Sequence, residues 1–281
     1  NGSGSGVVAN VSNVSVTCSQ TCATTLTGIL AANTQYSSSG SPYCISNALQ
    51  IPAGITATFD AGTTIRGGSI VVQGGLNING ATQIKVNIEN VQIVPAGLLN
   101  GFHDINVAYA VLTGGSIYNA TGNAIYGSLK LTDSIISGAS YMYLWYPVGI
   151  NIIERNKFIS TGGISFGLNF NDSGASLQSL TVRNNYFSSW TTQYALQNWA
   201  QYGTGSVVIE KNTFAVTGGY AAVLPAGYSG SSMNLANNYW GTTDVSTINS
   251  YIYDKNDDVT SGGFINYLPI LTNPDQNTPI N

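Results

Sequence analysis

Glu154, Arg183 and Glu210 recur about one repeat apart and are the first residues in this chain whose types and spacing could do chemistry. Glycoside hydrolysis uses two carboxylates roughly 5–10 Å apart, about the distance across two steps between neighbouring strands. An arginine between them holds both ionised, so neither serves readily as a general acid. The spacing therefore predicts a structural row of alternating charge. Lyase chemistry on uronates needs a cation for the substrate carboxylate and a base for the α-proton. Asp60, Asp104, Asp133 and Asp172 stand singly in the sequence, which does not assemble that set. His103, the single histidine, lies in Gly101-Phe102-His103-Asp104 with no Ser or Cys nucleophile motif beside it. The turn carrying Asp254, Asp257 and Asp258 has oxygen ligands suited to Ca2+ but lacks the glycine and terminal glutamate of an EF-hand, so it reads as a solvated turn. No cofactor is expected, and Ca2+ at that turn is the one metal candidate.

Binding chemistry is better represented. Tyr141, Tyr143, Trp145 and Tyr146, then Trp190, Tyr194, Trp199 and Tyr202, and further on Tyr220 and Tyr228, fall in the long connections among Ser, Thr, Asn and Gln. Such a surface suits stacking on sugars or a protein interface, and the competing reading is that these loops pack on themselves.

These connections are spaced by a phrase that returns four times: Ile153 to Phe158, Val182 to Phe187, Ile209 to Phe214 and Leu235 to Trp240. Each reads aliphatic, two polar, Asn, one variable, aromatic, and the aromatics recur at intervals of 29, 27 and 26 residues. A near-fixed period marks a stacked repeat architecture. In register, Asn156, Asn185, Asn212 and Asn238 form an amide ladder about 4.8 Å per step, beside a column of Phe158, Phe187, Phe214 and Trp240. Degenerate earlier copies align as Ile88 to Ile93, Leu112 to Ile117 and Leu131 to Ile136. From Ile51 onward, runs of three to five β-favouring residues alternate with Gly-Gly, Asn-Gly and Ala-Gly turns, and no run is long enough for a helix.

Composition bounds the partners. Charged residues are 7% of 281, against roughly 25% in an ordinary soluble domain. The net charge is −4, and eight scattered Lys and Arg form no basic patch, so nucleic acid is excluded as an expected partner. No apolar run approaches the ~20 residues of a membrane-spanning helix. The chain opens at Asn1 without a charged-then-apolar leader, so any signal peptide is expected to have been removed. Cys18, Cys22 and Cys44 suit one disulfide near the N-terminus with the pairing open, or three small buried hydrophobes. Sequons at Asn1, Asn10, Asn13, Asn119 and Asn171 are no more than such an Asn- and Ser-rich chain yields by chance.

Short strands, a period of 19–29 residues and no helical intermissions leave a parallel β-helix as the expected fold. The runs Ile55 to Ile65, Gly74 to Gly80 and Asn237-Asn-Tyr-Trp-Gly-Thr-Thr-Asp244, with Ile252-Tyr-Asp254, Asp257-Asp258 and Ile265 to Ile270, resemble the right-handed parallel β-helix (pectin-lyase-like) proteins secreted by bacteria. The resemblance covers roughly residues 51–272 and implies an extracytoplasmic setting. It implies activity poorly, because that superfamily spans lyases, hydrolases, epimerases, tailspikes, adhesins and members without known catalysis.

The expected organisation is all-β: a flexible β-prone extension over 1–17, an N-terminal cap over 18–50 built from a short helix or turn, a single-stranded right-handed parallel β-helix over 51–272 and an extended tail over 273–281. The expected function is a non-catalytic structural or adhesive protein, extracellular at the cell surface. It would assemble head to tail into a fibre through an N-terminal strand carrying Val7, Val11, Val14 and Val16. The rivals are a polysaccharide lyase or hydrolase and a monomeric glycan-binding adhesin, so the expected partners are further copies or polysaccharide.

Overall fold

The computed structural model describes residues 21–97, 102–118, 125–138, 141–145, 147–167, 179–199, 206–227 and 231–280. Over these residues the chain is all-β, with strands paired in parallel into two long sheets of seventeen and nine strands. The arrangement is compatible with a parallel β-helix-like solenoid. In the nine-stranded sheet, Ile78, Val107, Leu131, Ile153, Val182 and Ile209 are successive register partners, and all are buried. Period-two alternation turns their sequence neighbours outward.

The larger sheet consists of two strips joined through Tyr43–Ile51, whose first part pairs with Thr64–Arg66 and second with Ser69–Val72. One strip is narrow: its strands of three or four residues share one column of large side chains in the core. These are Ile65, Ile88, Leu112, Ile136, Phe158, Phe187 and Phe214 in register. The Phe158, Phe187 and Phe214 rings stack at 4.7 and 5.2 Å, and Trp240 follows at 4.9 Å. The other strip runs through Ser69–Val72, Gln92–Pro95, Ser116–Tyr118, Tyr141–Trp145, Gly163–Gly167, Tyr194–Asn198, Tyr220–Val223 and Ile252–Tyr253. It is called the tyrosine strip below.

The chain turns into and out of the narrow strip through left-handed residues, one at most corners and a glycine pair at Gly67-Gly68 and Gly114-Gly115. Tyr109, Asp133, Arg155, Asn184, Lys211 and Asn237 hold φ between 51 and 62° at the entry corner, and Asn90, Ser160 and Ser189 do the same at the exit. That conformation costs a side-chain-bearing residue roughly 1–2 kcal/mol. It is repaid in hydrogen bonds to the next repeat, as when the Asp133 N–H reaches Glu154 O at 3.2 Å and the Arg155 N–H reaches Arg183 O at 3.1 Å.

This geometry corrects the alignment of the early repeats. Leu131 to Ile136 is in the same register as the later phrases, because Leu131 pairs with Ile153 and Ile136 with Phe158. Ile88 to Ile93 and Leu112 to Ile117 are not, since Ile88 and Leu112 lie in the narrow strip while Ile93 and Ile117 lie in the tyrosine strip. These two segments span the exit corner, and Val107 to Leu112 is the in-register copy. Both corners place left-handed backbone between inward side chains five positions apart, so both produce the same spacing of apolar positions.

Just past the entry corner, the Asn156, Asn185, Asn212 and Asn238 side chains are fully buried and linked. Each backbone N–H of Asn156, Asn185 and Asn212 donates to the Oδ1 of the next asparagine at 2.8–3.0 Å. Each Nδ2 also donates to that oxygen, at 3.0 Å. The same Nδ2 groups donate back to Leu131, Ile153 and Val182 carbonyls, and that of Asn238 to Ile209 O. Ser134 takes the equivalent place one repeat earlier, its N–H donating to Asn156 Oδ1 at 3.0 Å.

Parallel stacking already operates within the stretch read as an N-terminal cap. Thr24–Ile29 pairs with Tyr43–Ile51, and Thr34–Tyr36 pairs with Thr56–Asp60. Of the short helix or turn expected there, the described residues show a 3-10 turn at Ser38–Gly40 between strands rich in β-favouring Thr, Tyr and Ile. Cys22 is bonded to Cys44, while Cys18 lies outside the described residues. At the other end, Val245–Asn249 is a single helical turn capped by the Asp244 carboxylate. The tail then returns along the entry corner: Asp275 accepts from Asn184 Nδ2 at 2.8 Å, and Thr278 donates to Lys211 O at 2.8 Å.

Replacing Asn185 by Ala strands the Asn156 N–H and the Ile153 carbonyl in the core. At about 1–3 kcal/mol per orphaned group, chemical denaturation of Asn185→Ala should show a loss of about 3 kcal/mol. The exposed Asn273→Ala serves as the control and should unfold like the parent.

Candidate functional site

Most of the candidate aromatics that are described sit on or beside strands. Tyr141, Tyr143 and Trp145 belong to the strand Tyr141–Trp145, and Tyr194 opens the strand Tyr194–Asn198. The expectation that they lie in loops is thereby corrected. Met142 and Leu144 are buried, and alternation sends Tyr143 between them to the outer face. The side chains of Tyr141 and Trp145, and all of Tyr146, Tyr202 and Tyr228, lie outside the described residues, as do Val7, Val11, Val14, Val16 and Asp172.

On the outer face of the tyrosine strip one register column runs Tyr118, Tyr143, Ser165, Gln197, Val223 and Tyr253. The Tyr118 and Tyr143 rings are 5.4 Å apart, and Tyr220 and Tyr253 are 5.3 Å apart. Ser165 gathers its surroundings: Trp199 Nε1 donates to its Oγ at 2.6 Å, and its Oγ lies 3.2 Å from Gln197 Oε1. Tyr194 also hydrogen-bonds to Ser165, and burial pushes its phenol above the usual range, so it stays neutral. Trp190 packs against the core from the turn before this strand. Its buried Nε1 has no hydrogen-bond partner among the described residues.

A cleft of about 630 Å3 opens beside this cluster. Its walls include Gln193, Gln197, Tyr220, Val223, Pro225 and Tyr253, and among the described residues that line it none is Asp, Glu, Lys, Arg or His. Loss of water around the Tyr253 hydroxyl, with the nearby Asp258 carboxylate, raises its pKa. The site thus offers neutral rings, amides and hydroxyls. Such groups stack on apolar faces and exchange hydrogen bonds with a polyhydroxylated ligand. Tyr118 and Val223 were missed as members, although the alternation of buried Met142 and Leu144 with Tyr141, Tyr143 and Trp145 was there to read.

The other candidates are placed differently. Asp133, expected to stand alone, accepts twice from Arg155 at 2.8 and 2.9 Å. Arg155 also meets Glu154 at 2.6 Å, and Glu154 accepts from Arg183 at 2.6 and 2.8 Å. The result is a chain of alternating charge running Asp133, Arg155, Glu154 and Arg183. Burial alone raises the Glu154 carboxyl, but hydrogen bonds from Arg183 and Arg155 outweigh it and hold the group below the usual carboxylate range. Arg155 is shifted upward, chiefly by its bonds to Asp133 against the opposing effect of burial. Two residues of this line, Asp133 and Arg155, also edge a smaller cleft of about 320 Å3 with Tyr109, Lys85 and Lys157.

Asp60 accepts from Gln35 at 2.9 and 3.0 Å, Asp104 accepts from Ser128 at 2.7 Å, and His103 is buried opposite Gly127. These groups are not brought together. Asp254 accepts from the Asn256 and Ile265 N–H groups, Asp257 from the Asp254 N–H, and Asp258 from Thr260 and Tyr253. All three carboxylates therefore brace their own loop. Among the described residues no group of three or more His, Cys, Asp or Glu is arranged to hold a metal ion. No helix of the described residues is long and apolar enough to cross a membrane.

No protein-family model, curated protein or solved structure matches the chain. The class defined by the residues themselves is all-β, with long parallel sheets.

The lowered Glu154 pKa has a definite sign. A depressed folded-state carboxylate contributes stability above its unfolded pKa of about 4.3 and loses it as pH falls through the lower folded value. Unfolding midpoints measured from about pH 6 down to about pH 3 should therefore fall more steeply for the parent than for Glu154→Gln.

Proposed function

We propose that the chain is an exported right-handed parallel β-helix of the pectin-lyase-like kind. In this reading it acts as a structural and adhesive protein at the cell surface, holding neutral polysaccharide along its tyrosine strip. The observation that carries the reading is the unbroken register column from Tyr118 to Tyr253, with its uncharged cleft. Neighbouring strands lie about 4.8 Å apart, a step comparable to the length of one pyranose ring. An extended glycan lying across the strands then meets the part-exposed rings of Tyr118, Tyr143 and Tyr253, with Ser165, Gln197 and Val223 buried between them. Tyrosine rings stack on the C–H faces of the sugars, while Gln197 and Gln193 offer amides in place of water. The Cys22–Cys44 disulfide supports a setting outside the reducing cytoplasm.

Electrophoresis through gels carrying embedded neutral polysaccharides tests the binding. The parent should be retarded, and Tyr220→Ala and Tyr253→Ala should each weaken retention about fivefold, corresponding to about 1 kcal/mol per ring. Mobility unchanged in every gel would overturn the adhesive reading. Release of shortened sugars from the same polymers would favour a polysaccharide lyase or hydrolase instead.

A further inference from the structure

The charge of this chain is laid out in one direction. Residues 1–59 contain no Asp, Glu, Lys or Arg. Residues 60–243 hold seven acids and seven bases, and residues 244–281 hold five acids against Lys255 alone. The whole formal charge of −4 therefore falls on the C-terminal segment. Asp275 folds back to Asn184, so the far end of the stack itself carries Asp244, Asp254, Asp257 and Asp258 against Lys255, and one end is uncharged while the other is acidic.

Both ends also present unused bonding surface. Thr24–Ile29 and Thr34–Tyr36 each have a single strand neighbour among the described residues, leaving one edge of each open at the N-terminal end. Ile29 there is 67% exposed. At the C-terminal end Ile252–Tyr253 and Ile265–Asn266 likewise have one neighbour each, and Val259, Phe264 and Leu268 are 81, 57 and 50% exposed. Open edges of this sort are templates for another strand.

The segment Val7 to Thr17, outside the described residues, joins the chain at the uncharged end. It is free of charge and rich in valine, which favours strands.

We propose that copies of this chain associate end to end, the uncharged N-terminal end of one seating on the acidic, apolar-studded C-terminal end of the next, with residues 7–17 as a donated strand. Two C-terminal ends repel one another by their like charge. The N-terminal end adds no like charge to such a contact, which sets the polarity. The contact is heterologous and does not close, so it propagates as a rod. It is independent of the glycan reading, because it uses the ends of the stack rather than its tyrosine strip.

The test is light scattering and negative-stain microscopy on the full chain, on a variant lacking residues 1–17 and on Phe264→Asp. The full chain should form rods that lengthen with concentration. Both variants should give single short particles with unchanged β circular dichroism, the dichroism separating loss of assembly from loss of fold. A full chain that stays monomeric at every concentration would overturn the proposal. So would closed dimers, or variants that are folded and assemble like the parent.

Discussion

The structure depends on what happens to backbone polar groups at the entry corner. A left-handed residue turns the chain inward at Asp133, Arg155, Asn184 and Lys211. The residue after it then carries its N–H into a region without water. An unpaired buried amide there would cost several times the net gain from an ordinary hydrogen bond. The asparagine side chain solves this because it carries an acceptor and donors together on one short amide. Its oxygen takes the N–H of the repeat before, and its nitrogen serves a carbonyl of that repeat. Each repeat is thus held by the side chain of the next, and the same bonds fix the register that aligns the Phe158, Phe187 and Phe214 rings.

Fixed register has a consequence on the outer faces. Since every strand is locked to its neighbours, side chains at equivalent positions must fall in columns, whatever their chemistry. At the entry corner this turns opposite charges into a line from Asp133 to Arg183. Along the tyrosine strip it turns separated aromatics into a surface. One row is satisfied within itself, and the other keeps uncharged groups around a cleft.

How much of this was legible varied with how local the determining interaction is. The four late phrases were readable because inward asparagine and inward aromatic are both demanded within six residues of one corner. Ser134 was not, because its hydroxyl accepts from the Ala110 N–H at 2.9 Å and donates to Thr132 O at 2.7 Å, doing the asparagine's work with a residue type that breaks the repeating phrase. The early copies slipped by one strand because entry and exit corners impose the same apolar spacing. Sequence patterning placed the aromatics in loops because large rings were read as connection material, yet the buried Met142 and Leu144 show that Tyr141–Trp145 alternates as a strand does. The pairing of Asp133 with Arg155 was missed because the two are 22 residues apart and belong to different repeats.

The returning tail changes how such a stack can come apart. A linear array of repeats contacts only its neighbours, so its end units can peel away one at a time. Here the bonds from Asp275 to Asn184 and from Thr278 to Lys211 span 91 and 67 residues. They tie the last segment of the chain to corners laid down two and three repeats earlier. Fraying from the C-terminal end must first release that tie, so these repeats open as one block rather than in sequence. A one-dimensional polymer of repeats thereby acquires, at one end, the all-or-none behaviour of a globular domain.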